Sequence, residues 1–412
     1  MEEISVVTCF LRNRGEILLV RRSDDVGSYR GQWAGVSGHA EGDPDGAARL
    51  EIAEETGLET DVTLRTRGEP FAVADDERRT RWIVHPYLFE TETREIDPNW
   101  ESAEYEWVPP TAILRRETVP DLWPSYDRVR PTVETINTDR AHGSAWLSIR
   151  ALEVLRDEAG FVASGGGDDD RESIAETARD LRDARPSMPV IENRVNRVMA
   201  RASGNAERVV EIASEELESA LEADTAAATL GAARLPDRVA TLSRSGTVLT
   251  ALENGDPDAV LVAESRPGGE GVDVAESLAD SVALTLSSDA GFAWAIHDWD
   301  ADALLVGADA IGPDGSVRNK VGTRSAALAA AHEGIDCLVV AAADKVDPDP
   351  DPELEAAGDL YDGAADIAIS SPLFDVTPPV LVDAIYTDEG VLSTGDIDEI
   401  AEQHRENARW DD

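Results

Sequence analysis

The sequence predicts a chain of several domains: an α+β domain, a helical stretch, and an α/β domain built on a parallel sheet. Three observations predict it. The chain has 412 residues, and a single core stops growing near roughly 250–300 residues. Residues 4–22 (ISVVTCFLRNRGEILLVRR) alternate and then run apolar on either side of Asn13-Arg14-Gly15, the pattern of a β-hairpin. From residue 237 onward short apolar strands alternate with helical segments, the pattern of βαβ units.

In order along the chain, a helix is expected over 45–56, with Gly57 as its stop. Strands are expected at 69–74 and 81–90, and 111–130 reads as a short helical tail after Trp107-Val108-Pro109-Pro110. These segments make a first domain over 1–130. A helical part follows over 131–235, because 144–158, 172–183 and 205–222 repeat apolar residues near every 3.6 positions. Residues 163–170 (ASGGGDDD) read as an acidic loop. The third part, 236–412, has strands expected near 238–242, 259–263, 282–286, 303–306, 336–342 and 367–369. Ligands of such sheets bind beyond the carboxyl ends of the strands, so polar residues that follow a strand directly are the first place to look for a site.

Asp and Glu number 84 against 37 Lys and Arg, a formal net charge of −47. With 42% hydrophobic residues the chain can bury cores and is not an acidic disordered tail. The charge argues against direct nucleic-acid contact and against anionic membrane surfaces. Among the basic residues only Lys320 and Lys345 are lysine. Acidity with almost no lysine fits a halophilic setting, where a Debye length of about 3 Å at molar salt screens the self-repulsion. Cys9 and Cys337 sit in apolar runs without disulfide or metal-site spacing and read as buried small hydrophobes. No basic segment precedes the short apolar run at the N-terminus, and no stretch approaches the roughly 20 apolar residues of a membrane span. A cytoplasmic protein is expected.

Two constellations carry chemistry. In GHAEGDPDGAARLEIAEETGL (38–58), Glu51, Glu54 and Glu55 fall on one helix face at spacings of three and four. Adjacent carboxylates repel unless a divalent cation lies between them, and Mg²⁺ (or Mn²⁺) suits a few carboxylates together with phosphate oxygens. The alternative is a solvated acidic helix face. This stretch, with Gly57 and Leu58 in register, resembles the box of the Nudix hydrolases, as do the flanks Leu18-Leu19-Val20-Arg21-Arg22, Gln32-Trp33 and EYEWV at 104–108. The resemblance covers roughly 4–130 and implies an α/β/α sandwich, Mg²⁺ ligation by Glu51, Glu54 and Glu55, and Glu54 as ligand or catalytic base. Leu50 stands where the family has arginine, with Arg49 one place away, and the preceding loop is about two residues short. That arginine orients a glutamate through a charge-assisted pair, so its absence leaves the ligands less preorganised.

The second constellation lies in 304–346, which holds both lysines. A chain that uses arginine elsewhere needs a compact ammonium at these positions. Asp309 directly follows the apolar strand 303–306; Glu264-Ser265-Arg266 follows a second strand, and Ser243-Arg244-Ser245 a third. Together they supply hydroxyls, cations and a carboxylate, the makings of a phosphosugar or nucleotide site. GADAIGPDGSVRNKVGT (307–323), AESRPGGEG (263–271), RPSMPVIENRVNRVM (185–199) and SPLFDVTPPVLVDAIYTDEGV (371–391) resemble the initiation factor 2B alpha/beta/delta family over 137–405. That family includes ribose-1,5-bisphosphate and 5-methylthioribose-1-phosphate isomerases.

The resemblance implies a helical part followed by a Rossmann-like parallel-sheet domain, assembled as a homodimer or larger. It implies Asp309 as a catalytic acid/base and substrate binding by Arg185, Arg244, Ser245, Glu264, Arg266, Asn319, Lys320 and Lys345. Ser243 stands where the isomerases have a catalytic cysteine, and a hydroxyl is a far weaker acid than a thiol. His142, in Arg140-Ala141-His142-Gly143-Ser144, stands where they have an arginine, as on the translation-factor side. The function expected is Mg²⁺-dependent hydrolysis of a nucleoside-diphosphate-linked substrate, joined to binding of a phosphorylated sugar or nucleotide. The alternatives are a pentose-phosphate isomerase and a non-catalytic, translation-linked regulator.

Overall fold

The computed structural model describes residues 2–40, 42–166, 171–350, 360–361, 363 and 365–412. The chain forms two compact units: Met1–Thr132 with Glu153–Ile174 and Asn205–Leu217, and Val133–Leu152 with Ala175–Gly204 and Glu218–Asp412. Stretches of the helical part expected over 131–235 therefore fall in both. Within the first unit, buried charge explains why 153–157 belong there. Arg12 Nη1 pairs with Glu153 at 3.1 Å, Arg156 Nη1 donates to the Gly15 carbonyl at 2.6 Å, and Tyr126 Oη donates to Asp157 at 3.1 Å. Buried charges of this kind are tolerated only when paired.

The first unit is a mixed sheet covered on both faces. Its elements are β1 (Glu2–Asn13), β2 (Glu16–Arg22), β3 (Trp33–Ala34), β4 (Val36–His39), α1 (Pro44–Thr56), β5 (Thr63–Arg67), β6 (Phe71–Asp75), β7 (Thr80–Glu90), β8 (Ser102–Val108) and α2 (Leu122–Asp127). The β1–β2 turn is the expected hairpin, with positive φ at Arg14 and Gly15 and Asn13 opposite Glu16. The sheet order is β3-β2-β1-β7-β5, with β4 on β1, β6 on β7 and β8 on β2; β1 and β7 run parallel. Alternation along β1 sends Val7, Cys9 and Leu11 under α1, against Ala48 and Ile52. Phe10 goes to the other face, against Trp123 and Tyr126. Helix α1 starts on the Asp43 side chain, which accepts from Gly46 N at 3.1 Å, and ends on Gly57, the expected stop, in the left-handed conformation.

The described helices that follow are α3 (Val133–Thr138), α4 (Ser144–Ala163), α5 (Arg171–Asp183), α6 (Pro189–Ala202) and α7 (Ala206–Ala232). Then come β9 (Arg238–Leu242), α8 (Gly246–Gly255), β10 (Ala259–Ala263), α9 (Glu270–Leu278), β11 (Ala283–Ser287), α10 (Asp289–Asp298) and β12 (Ala303–Val306). The rest are β13 (Ala310–Ile311), β14 (Val317–Lys320), α11 (Thr323–Glu333), β15 (Asp336–Val340), β16 (Phe374–Thr377), β17 (Ala384–Thr387), β18 (Gly390–Val391) and α12 (Thr394–Ala408). The main sheet of the second unit has the order β11-β10-β9-β12-β15-β17-β18, parallel except for β18. Its inner strands β9, β10, β12 and β15 are apolar and buried on both faces, as a parallel sheet requires, while the edge strand β11 is largely exposed. The chain proceeds from β9 to one side and returns with β12 on the other. This creates a topological switch point between β9 and β12, where ligands of such sheets bind.

One strand expectation is corrected. Residues 367–369 form no strand: Ile367 and Ile369 are exposed at 55% and 48%, and the chain pairs only later, in β16 and β17. An apolar run without a neighbouring strand to pair with has no reason to extend. The loop expected over 163–170 falls partly outside the described residues. Cys9 and Cys337 are buried free thiols. Among the described residues no helix is long and apolar enough to cross a membrane.

Candidate functional site

In the first unit a cavity of about 350 Å³ opens where β4, α1 and β7 meet. Its polar side holds Arg22, Ser37, Glu51 and Glu101; its apolar side holds Val6, Val73, Trp82 and Val84, with Tyr29 and Trp100 beside them. Gly38 permits this arrangement, because a Cβ there would lie 1.8 Å from Glu51 Oε1. Glu55 is buried and accepts from Ser37 N at 3.1 Å. Burial, opposed by that hydrogen bond and reinforced by Glu101 and Glu51, pushes its carboxyl up to about 8. Glu51 is raised as well, by burial and then by Glu54 and Glu101. Glu54 is exposed and does not line the cavity.

The arginine missing at position 50 is answered from another element. Leu50 is 56% exposed, and Arg49 lies over the Phe89 ring at 5.7 Å. Arg22, on β2, lines the cavity, with Nη1 3.4 Å from Ser37 Oγ, and its charge opposes the rise of Glu55. Glu101, Arg22 and the aromatic side chains are contributions that spacing along α1 did not reveal. Among the described residues no three His, Cys, Asp or Glu side chains lie close enough together to hold a metal ion. In donor chemistry carboxylates suit a hard divalent cation: Glu101 lies near enough to raise both Glu51 and Glu55, and a bound cation would offset that repulsion.

In the second unit the site forms at the switch point. Ser243 at the end of β9 and Ser265 at the end of β10 both take left-handed conformations, with φ of 65° and 63°. Ser243 N donates to Ser265 Oγ at 2.6 Å, and Ser265 N donates to Asp289 at 2.8 Å. Strain of this kind persists only where its surroundings hold it. Asp309 follows β12; its Oδ1 accepts from Ser144 Oγ at 2.9 Å and its N–H donates to Arg318 O at 2.8 Å. Asp309, Ser243, Arg244, Lys320 and Arg185 share a cavity of about 70 Å³ with Arg140, His142, Glu270 and Phe374.

The other predicted residues lie around this cavity without lining it. Ser245 caps α8 by accepting from Val248 N at 3.3 Å. Glu264 pairs with Arg266 at 3.1 Å, and Asn319 donates to Thr323 Oγ1 at 3.0 Å. Lys345 is buried beneath the loop, its Nζ donating to Ala308 O at 2.6 Å, and burial lowers its pKa against the pull of Asp224 and Asp309. Lys320 Nζ pairs with Glu270 at 2.6 Å and Arg244 with Asp273 at 3.1 Å. His142 stacks on Trp146 with centroids 3.8 Å apart and is hydrogen-bonded to Asp139 at 2.8 Å. Glu270 and Ser144 escaped prediction as site groups because they meet the site only through tertiary packing.

Residues 140–394 match the sequence profile of the Initiation factor 2 subunit family, and residues 1–129 that of the NUDIX domain. The chain is 31% identical over 288 residues to a ribose 1,5-bisphosphate isomerase of Haloferax volcanii, covering 64% of this chain and 88% of that one. It is 32% identical over 232 residues to a methylthioribose-1-phosphate isomerase of Xylella fastidiosa, covering 49% of this chain and 66% of that one. The crystal structure of a Pyrococcus horikoshii translation initiation factor, eIF-2B, superposes with a TM-score of 0.56 at 27% identity, covering 63% of this chain and 94% of that one. A 5-methylthioribose 1-phosphate isomerase from the same organism shares the fold at a TM-score of 0.53 and 20% identity, over 74% of this chain and 89% of that one.

Proposed function

Since the chain belongs to the Initiation factor 2 subunit family and carries a NUDIX domain ahead of that region, we propose that it is a two-site protein of phosphorylated nucleosides and sugars. Its first unit hydrolyses a nucleoside-diphosphate-linked substrate, and its second binds a phosphorylated sugar or nucleotide. The observation that carries this reading is a cavity lined by Glu51, Glu101 and Arg22, with Glu55 buried behind Ser37, whose other wall is aromatic and aliphatic. Glu51, Glu55 and Glu54 would hold a divalent cation. When bound, Mg²⁺ or Mn²⁺ supplies charge neutralisation of the diphosphate and a more acidic water. Gly38 lets Glu51 lie against the strand, Ser37 N–H fixes Glu55, and Arg22 offers a counter-charge to a phosphate oxygen. In hydrolysis a water oxygen bonds to phosphorus, the bridging P–O bond breaks with its oxygen leaving on the departing phosphate, and the water proton passes to solvent.

The test is a screen of nucleoside-diphosphate compounds in molar KCl by ³¹P NMR, comparing the native protein with Glu54→Gln and Glu55→Gln. Hydrolysis lost in both variants is expected. No hydrolysis of any compound by the native protein would sink the reading.

A second reading, aldose-to-ketose isomerisation, is supported by Asp309 and Ser243 on one cavity with Lys320, Arg185 and Arg244. Asp309 would carry a proton between adjacent sugar carbons, Ser243 would hydrogen-bond the oxygen that changes order, and the cations would hold phosphate. Incubation with ribose 1,5-bisphosphate, followed by ¹³C NMR, decides it; a spectrum without ketose ends it.

A further inference from the structure

The cavity of the second unit carries a titratable pair that neither proposed activity uses. Asp139 and His142 stand on the turn between α3 and α4. Asp139 Oδ1 accepts from Ala141 N at 2.8 Å and from His142 N at 2.9 Å, and its Oδ2 lies 2.8 Å from His142 Nδ1. Burial would raise the Asp139 carboxyl, but the bonds from His142 and Ala141 hold it below the usual carboxylate range. An ionised carboxylate can only accept, so the proton sits on His142 Nδ1. The ring plane is set by Trp146, on which it stacks with centroids 3.8 Å apart and planes 13° apart. Among the described residues Nε2 has no hydrogen-bond partner, and His142 lines the cavity. The same turn reaches the carboxylate that follows β12. Two residues on, Ser144 Oγ donates to Asp309 Oδ1 at 2.9 Å, so one short segment sets both groups against the cavity.

The surrounding charges leave Asp139 as the one bonded to the ring. Across the cavity stand Asp309 and two paired cations, Lys320 with Glu270 and Arg244 with Asp273. On the near side Arg140 and Arg185 both donate to the Asp139 carbonyl, and Arg150 lies over the Trp146 ring. We propose that His142, oriented by Asp139, is the catalytic acid of this cavity and works opposite Asp309. The inference rests on the isomerase reading and supplies the proton donor which that reading lacks. The Ser243 hydroxyl is far too weak an acid, whereas an imidazole gives up and regains a proton near neutral pH. In ribose 1,5-bisphosphate the C1 oxygen outside the ring carries phosphate, so the chain opens by breaking the bond from C1 to the ring oxygen. That oxygen keeps the electron pair and takes the Nε2 proton of the His142 imidazolium. Asp309 takes the C2 proton, which leaves an enol between C1 and C2. The enol hydroxyl returns a proton to His142 as Asp309 delivers its own to C1, and the ketone stands at C2. Both groups end as they began. Asp139 is the positioning residue: it holds the ring and favours its charged form.

The test is conversion of ribose 1,5-bisphosphate by the full chain, followed by ¹³C NMR between about pH 6 and 9. The native rate is expected to fall on the alkaline side, where the acid has lost its proton. His142→Gln is expected to lower kcat by roughly 10²- to 10³-fold and to remove that alkaline limb. His142→Arg separates an acid from a cation that merely holds phosphate. A guanidinium keeps the charge but gives up no proton, so KM should stay within a few-fold of native while kcat stays low. Asp139→Asn should lower kcat by on the order of 10- to 100-fold and move the alkaline limb to lower pH, because the imidazolium loses its carboxylate. Native kcat in His142→Arg, or an alkaline limb that persists in His142→Gln, would overturn the inference and leave the isomerase reading standing. No ketose from the native protein at any pH defeats that reading, and this inference with it.

Discussion

The two cavities treat charge in opposite ways. In the first unit Glu51, Glu55 and Glu101 face one another, so burial and like charge raise the carboxyls of Glu51 and Glu55. In the second the cations are already paired: Lys320 with Glu270 and Arg244 with Asp273. In a chain this acidic, carboxylates are the default surface, and their number says little. What distinguishes a site is whether a carboxylate is left facing its own kind in a partly buried place, or spent on a cation that a ligand must take from it. On the proposed reading the first arrangement would take an added cation. The second calls for an anion able to displace a carboxylate.

Four measurements would break or sharpen this contrast, the largest effect first. If Asp309 is the reacting carboxylate of the second cavity, Asp309→Asn should lower any aldose-to-ketose conversion by on the order of 10³-fold, within the range of general acid–base catalysis. An unchanged rate in the NMR assay would remove Asp309 from the chemistry. Stability should also respond to pH with opposite signs in the two units. Burial holds His404 down at about 4, so its neutral form is the folded one. Its contribution, about 3 kcal/mol at most, is fully present above pH 6.5 and is lost as pH falls toward 4. Thermal melts across that window should show the native chain losing stability relative to His404→Leu as pH falls. Glu55, raised in the folded state, gives the reverse slope, stability falling as pH rises toward 8.

Glu51→Gln should weaken Mn²⁺ binding, followed by electron paramagnetic resonance, on the order of 10- to 100-fold. The same comparison for Leu50→Arg should show no tightening if Arg22 already supplies the counter-charge. In the second cavity, Lys320→Met should weaken sugar-phosphate binding by on the order of 10-fold, as loss of one charged hydrogen bond does. Glu270→Gln should act in the other direction and tighten it a few-fold. Two changes of the same sign would show that Glu270 does more than occupy Lys320.

Much of the fold was readable from neighbouring residues. Positive φ at Arg14-Gly15 makes the hairpin, Asp43 and Gly57 bound α1, and the alternating strands and helices after 237 make the parallel sheet. The same local logic placed Asp309 after β12 and Ser243 after β9, and the switch point between those strands brought the two into one cavity. It failed at 367–369, where an apolar run found no strand to pair with. Ser245, Glu264, Arg266, Asn319 and Lys345, which the family resemblance implies as substrate-binding residues, are bonded to their own neighbours.

By itself, then, the sequence determined the identity of the elements and the residues at their ends, because caps, turns and periodicity act over a few positions. The tertiary structure alone decided which side chains share a cavity. Arg22 approaches Ser37 because β2 and β4 pair in succession along the same edge of β1, and Trp82 reaches the cavity because β7 runs parallel to β1 on the other edge. Glu270 meets Lys320 across 50 residues. Those meetings depend on strand order and register, which are settled by packing of the whole sheet and leave no trace in local spacing.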